Sequence, residues 1–213
     1  WLPNDIRAKI KDKAEIAYFA GCTAAFVEKD VAVGAVRLLD EAGIEFTYLG
    51  DKEACCGIPM LVAGKWDIFE KIMKMNTANM QKKGVKTVVT SCPACLLMWS
   101  TLYPQWAEKL GMRYDIEAKH YSEVLVDKLD VLKPKFKVPL NKVVAWHDSC
   151  HIGRAGSGVY EPPRELLKAI PGVQFREMEH NREKALCCGS VVTLIDEPKV
   201  AGKIGNVRLQ EAV

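Results

Sequence analysis

No excess of charge of one sign marks this chain. Its 30 Lys and Arg against 27 Asp and Glu leave a formal net charge of +3, with acids and bases interspersed. A nucleic-acid binder carries a basic face or stripe, so that class is excluded. A starting methionine is also missing. The first residue is Trp1, and the closing LQEAV reads as the middle of a helix without a stop signal. The chain therefore reads as a piece of a longer one, in which a leader sequence would not be visible. An uninterrupted apolar span is lacking too. Residues 87–107 carry no charge over about the length of a membrane crossing, but Pro93, Pro104, several Ser and Thr and a CPAC motif break the run. It reads as a strand, a turn and a partly buried helix.

What is present is a core-forming composition and many thiols. Apolar residues make up 49% and charged residues 27% of the 213 positions, which fits a soluble globular protein of one large or two small domains. There are eight cysteines: Cys22, Cys55, Cys56, Cys92, Cys95, Cys150, Cys187 and Cys188. A chain of this size needs no disulfide staples, so clustered thiols read as metal ligands or redox groups.

An internal repeat organises them. AYFAGC ends at Cys22 and AWHDSC at Cys150, while GIEFTYLGDKEACCG is paralleled by GVQFREMEHNREKALCCG. The offset is 128 positions at the first cysteine and 132 at the adjacent pair. Two copies of one unit account for this. Copy one reads as a strand before Cys22, a helix through about Glu41 closed by Gly43, and a strand over GIEFTYL. A helix over residues 65–83 closed by Gly84, a strand over VKTVVTS and a helix from about Leu96 follow. MRYDIE reads as a further strand, and SEVLVDKL as a helix. Strand–helix alternation predicts an α/β fold: two Rossmann-like repeats, each a parallel sheet with flanking helices, the second truncated. The expected division is 1–130 for the first repeat, 131–140 for a Pro- and Lys-rich linker, and 141–213 for the second.

The cysteines fall at the carboxyl ends of expected strands, where helices begin and open α/β sheets bind ligands. Copy one reads C, 32 residues, CC, 35 residues, CxxC; copy two reads C, 36 residues, CC. The spacing of copy one would put the second CxxC at about residues 224 and 227, past the last residue, 213. Four readings compete. Buried structural thiols would not repeat at strand ends. Zinc takes four ligands and leaves a fifth cysteine over. A dithiol at Cys92 and Cys95 leaves three unexplained. An iron–sulfur cluster draws thiolates from separate loops, although an ordinary cubane needs only four. Gly57 and Gly189 would allow the bent backbone that turns two neighbouring thiols to one side, with Pro59 and Pro93 stiffening the loops.

C-x32-CCG-x34-CPAC followed by C-x36-CCG resembles the cysteine-rich CCG domain family, over nearly the whole chain. Members include catalytic subunits of heterodisulfide reductases and iron–sulfur subunits of glycolate, lactate and glycerol-3-phosphate oxidising enzymes. WHDSCHIGRAGSGVYEPPRELLKAIPGVQF and EMEHNREKALCCGS look most like the D-type reductase subunits, among them a relative in a membrane complex of sulfate-reducing microbes. The resemblance implies an iron–sulfur oxidoreductase with a noncubane [4Fe-4S] cluster at one or both sites. Cys22, Cys55, Cys56, Cys92 and Cys95 would be one ligand set; Cys150, Cys187 and Cys188 would be three-fifths of another. It further implies a ferredoxin-like iron–sulfur domain, a cytochrome b-type membrane partner and a thiol or disulfide substrate. The location would be cytoplasmic, peripheral to the inner membrane.

Other residues carry two readings each. His147 and His151 flank Cys150 and suit proton donation to a leaving thiolate, or merely turn polarity. Arg154 with the GRAGSG loop would hold an anionic substrate, or belong to a flexible loop. His180 would serve behind the second cysteine pair. His120 opens a helix and is expected at the surface. Met73, Met75 and Met80 are expected to fill space along a helix, and Trp66, Trp99 and Trp106 to anchor packing.

Overall fold

The computed structural model describes residues 1–190 and 198–212. A short helix α1 (Asn4–Arg7) precedes strand β1 (Ile16–Phe19). A π-helical turn (Thr23–Val27) leads into α2 (Lys29–Glu41), and α3 (Ile58–Val62) and α4 (Trp66–Lys82) follow. Next come β2 (Thr87–Thr90), α5 (Pro93–Leu97), a second π-helical turn (Met98–Leu102), α6 (Tyr103–Lys109) and β3 (Glu117–His120). Helices α7 (Tyr121–Val126) and α8 (Leu129–Leu132) lead to β4 (Lys142–Val144), α9 (Glu161–Ala169), β5 (Val173–Phe175) and α10 (Pro198–Gln210).

The first sheet is parallel, in the order β1-β2-β3, with Ile16 opposite Thr87 and Thr87 opposite Glu117. Its central strands are buried on both faces, and side chains alternate between two cores. Tyr18 and Val89 join one core with Ala32, Ala35, Val36 and Leu39 of α2. Ala17, Phe19 and Val88 join the other with Phe69, Met73 and Met80 of α4. Both helices bury an i, i+3/i+4 stripe, as surface helices do. Each ends where glycine takes positive φ: Gly43 after α2 (70°) and Gly84 after α4 (74°). The following N–H in each case reaches the last buried turn, Ile44 to Leu39 and Val85 to Met80.

Two expected strands differ. GIEFTYL contributes a single bridge, Thr47 opposite Ala17, because Tyr48 turns into the Trp1 contact and Gly50 opens a 3-10 turn. The strand expected over MRYDIE is displaced to Glu117–His120, where Glu117 N–H meets the Lys86 carbonyl. Met75 and Trp66 are exposed, whereas Met73, Met80 and Trp99 are buried. Trp66 still packs edge-on to Trp106. No helix among the described residues is long and apolar enough to cross a membrane.

The second sheet pairs β4 and β5 in parallel. Its anchor is polar: Arg164 is fully buried, gripping Asp148 through two 2.7 Å bonds and Glu177 through bonds of 2.7 and 2.9 Å. Leu96 of the first repeat packs on Ile152 and Val159 of the second, so the CPAC helix and the loop after Cys150 share a small core.

Candidate metal centre

Cys22 follows β1 by three residues, Cys92 follows β2 by two and caps α5, and Cys55–Cys56 lead into α3. Three loops thus meet at the carboxyl edge of the sheet. The Cys22 and Cys55 sulfurs are 3.8 Å apart. Side-chain interactions couple Cys55 to Cys56, Cys56 to Cys95, and Cys95 to Cys92. Thiol donation from Cys55 and Cys95 holds Cys56 well below the usual thiol range, and Cys95 lowers Cys92 to about 7. The donors Cys55 and Cys95 are raised by the same bonds and by burial.

The bend lies where the sequence places it. Gly57 has φ 86°, and its N–H reaches back to Cys55 Sγ at 3.5 Å. A Cβ there would stand 2.9 Å from the Phe69 ring. Gly21, φ 70°, leaves room for a different reason: a Cβ would lie 2.7 Å from Cys95 Sγ. Five thiols from three neighbouring loops, linked pair by pair from Cys22 through Cys55, Cys56 and Cys95 to Cys92, outnumber the ligands of a zinc site and suit an iron–sulfur cluster.

The second set is looser. Cys187 and Cys188 are exposed and Cys150 half-buried. Burial, then the charge of Cys187 and more weakly that of Cys188, raise the Cys150 thiol. Gly189 (φ 79°) reproduces the bend, its N–H 3.3 Å from Cys187 Sγ.

His147 Nδ1 accepts the Arg208 Nε–H at 3.0 Å; burial and then the Arg208 charge lower its pKa. His151 is lowered by burial, while the Cys56 thiolate works in the opposite direction. Arg154 donates to the carbonyls of Glu183 (3.0 Å) and Ala185 (2.7 Å), tying the GRAGSG loop to the segment before Cys187. His180 pairs with Glu211, and its carbonyl accepts from Arg208 at 2.6 Å. His120, expected at the surface, is 2% exposed. Its Nδ1 pairs with Ser122 Oγ at 2.7 Å, and it bonds the backbone of Ser91, next to Cys92. Burial lowers it to about 4.

Four residues at the two centres escape the sequence reading. Glu53 accepts the N–H groups of Gly21 (2.9 Å) and Ala20 (3.3 Å), and burial together with the Cys56 charge pushes it up to about 8. It lines a cavity of about 250 Å³ with Trp1, Cys22, Phe26, Tyr48 and Cys55. Asn76 and Tyr103 bond the backbone of the first cysteine pair, and Arg208 lies beside the second set. Asn76 had one signal: a polar residue on the buried stripe of α4, seven positions after Phe69.

The family model for the cysteine-rich domain, CCG, matches twice, over residues 16–100 and 144–213. The chain is 36% identical to the D-type component of the dihydromethanophenazine:CoB–CoM heterodisulfide reductase of Methanosarcina barkeri, covering all of this chain and 52% of that protein. It is 34% identical to the B-type component of the fumarate reductase (CoM/CoB) of Methanothermobacter marburgensis, over 92% of this chain and 37% of that one. Against the EtfAB:quinone oxidoreductase of Syntrophomonas wolfei it is 35% identical, over 84% of this chain and 25% of that protein. The chain thus spans about half the length of the heterodisulfide reductase component, and less of the others. With the motif matched in both copies and five thiols gathered at the first, the chain belongs to the CCG cysteine-rich domain family.

Proposed function

We propose that this chain is the iron–sulfur redox module of an oxidoreductase that reduces, or reversibly forms, a disulfide, heterodisulfide or trisulfide. The substrate would be a thiol cofactor or a small carrier protein. The observation that carries this is the placing of Cys22, Cys55, Cys56, Cys92 and Cys95 on three neighbouring loops at one edge of the sheet, with Cys22 and Cys55 3.8 Å apart. These five would hold a noncubane [4Fe-4S] cluster, and Cys150, Cys187 and Cys188 part of a second. When bound, the cluster supplies electrons one at a time. Electrons would come from a ferredoxin-type domain, coupled through a cytochrome b-type membrane partner. That places the module in the cytoplasm against the inner membrane, serving anaerobic respiration such as sulfate reduction. We take residues 1–130 and 141–213 as its two repeats, joined by 131–140.

The reaction consumes two electrons and two protons for each disulfide and releases two thiols. His151, next to Cys150 in the chain, would donate a proton as a thiolate leaves. His147 has Nδ1 engaged by Arg208, so in its neutral form the proton is on Nε2 and it acts as a hydrogen-bond donor. Arg154 acts through the loop it holds.

The test is metal and sulfide analysis with visible and EPR spectra on anaerobically prepared protein, followed by addition of candidate disulfides. A colourless zinc protein, or an intact cluster whose reduced form cleaves no disulfide or trisulfide, would sink the reading. A second reading, an electron relay in a quinone-linked dehydrogenase, is favoured by the likeness to the EtfAB:quinone oxidoreductase. Redox cycling with an EPR signal that no substrate perturbs would select it.

A further inference from the structure

Two adjacent side chains of an extended chain point to opposite sides, so gathering Cys55 and Cys56 requires the backbone between them to be held in a bend. Two buried side chains grip that backbone. Asn76, on α4 and fully buried, accepts the Ala54 N–H at 3.3 Å and donates to the Cys55 carbonyl at 3.0 Å. Its second amide hydrogen goes to the Tyr103 oxygen at 3.3 Å. Tyr103, on α6 and equally buried, donates its own hydrogen to the Cys56 carbonyl at 2.9 Å. Both Asn76 N–H groups and the single Tyr103 O–H are therefore committed, and three successive residues are fixed from two helices.

The second repeat isolates the effect. The offset of 132 that takes Cys55 to Cys187 takes Asn76 to Arg208. It also takes the contact partner of Gly57, Phe69, to that of Gly189, Ala201, so the alignment holds in three dimensions. Arg208 directs its guanidinium to His147, the His180 carbonyl and Glu211, leaving Nη2 without a partner among the described residues. The pair beside Asn76 is buried or half-buried; the pair beside Arg208 is exposed.

We propose that Asn76 and Tyr103 are positioning residues that aim the Cys55 and Cys56 sulfurs at one point. The inference rests on the reading of these cysteines as cluster ligands, but it is first tested without iron. Phenylarsine oxide bridges two thiols only when their sulfurs converge. In the reduced, iron-free chain, peptide mapping gives the rate at which it bridges Cys55 to Cys56. Tyr103→Phe, which keeps the ring in place, and Asn76→Ala should each slow that bridge by about fivefold or more, since small misplacements weigh heavily on rate. Phe46→Leu, in the opposite core, should lower Tm and leave the rate alone. Rates within about twofold of wild type in both variants overturn the proposal, as does equal slowing in Phe46→Leu. In the iron-loaded protein, Tyr103→Phe should shift the EPR g-values and midpoint potential at unchanged circular dichroism. A shift in neither would leave a purely structural hydrogen bond and also overturn it. Failure to load iron at all, with the arsenical result intact, would strike the cluster reading and spare this one.

Discussion

Cys55–Cys56 and Cys187–Cys188 are each followed by a glycine in the left-handed region, whose N–H reaches back to the first sulfur at 3.5 and 3.3 Å. Around that shared turn the two copies diverge. In copy one the carboxylate comes from the pair's own loop: Glu53 accepts from Ala20 and Gly21 beside Cys22. In copy two Ala185 occupies the place of Glu53, and the carboxylate crosses from the other side, Asp148 accepting the Arg182 N–H at 2.7 Å. Burial pushes both up, but Arg164 and the Arg182 N–H hold Asp148 below the usual carboxylate range, whereas Glu53 rises to about 8. One backbone solution is thus maintained in two electrostatic settings. Copy one places a proton-holding carboxyl beside a sulfur cluster, and copy two places buried guanidinium groups beside a looser one.

The most severe test of the comparison is ligand removal. Cys56→Ala or Cys95→Ala should abolish cluster assembly, measured as iron per chain and EPR intensity. Cys187→Ala should leave the first set loaded, because only copy one brings five thiols together here. Equal loss from both would mean that the sets share one cluster. Next in size is the polar anchor of copy two. Arg164→Leu leaves Asp148 buried without its cation and should cost about 3–5 kcal/mol in urea unfolding. Copy one has Ala20 at the place of Asp148, so it has no matching ion pair to lose.

Much of this arrangement was legible in the sequence because it rests on local rules. The helix stops at Gly43 and Gly84, the buried strands IAYF and TVVT, and the bends at Gly57 and Gly189 each follow from a residue's own conformational limits. The distinction between two exposed thiols and a pair of one buried and one half-buried was not legible. It depends on which residue a helix brings to the pair from about 20 positions away, Asn76 or Arg208, and spacing does not report that. His120 misled for a similar reason. A histidine at a helix start normally meets water, but this one ends β3 and is held between Ser122 and the Ser91 backbone at the edge of the first sheet.

That burial gives copy one a pH signature, beside the smaller ones of His147 and His151 in copy two. His120 has an ordinary value of 6.5 and is lowered to about 4 in the folded chain. Above pH 6.5 it is neutral in both states and its environment is fully favourable. As pH falls from about 6.5 to about 4 the unfolded chain takes up the proton first, and stability declines by about 1.4 kcal/mol per unit, or about 3 kcal/mol in all. His120→Asn, which retains a polar group near Nδ1, should flatten the dependence of unfolding free energy on pH in that window. An unchanged slope would place the titration elsewhere.

The smallest effect discriminates most finely between the two turns. Gly57→Ala and Gly189→Ala both force a Cβ into the left-handed region, at about 1–2 kcal/mol each. Their surroundings then differ. At Gly57 the new methyl meets the Phe69 ring at 2.9 Å, a side chain with some freedom to rotate away. At Gly189 it meets the Ala201 carbonyl oxygen at 2.5 Å, in the backbone of α10, which cannot yield without moving the helix that carries Arg208. Gly189→Ala should therefore be the more destabilising in urea titration, even though its cysteine pair is the more exposed. It should also free His147 from Arg208 and return the imidazole toward its ordinary pKa, which NMR titration would read directly. If Gly57→Ala proves the costlier, the aromatic packing behind Cys55–Cys56 is the more rigid element, and the tighter cluster site is the one with less room to adjust.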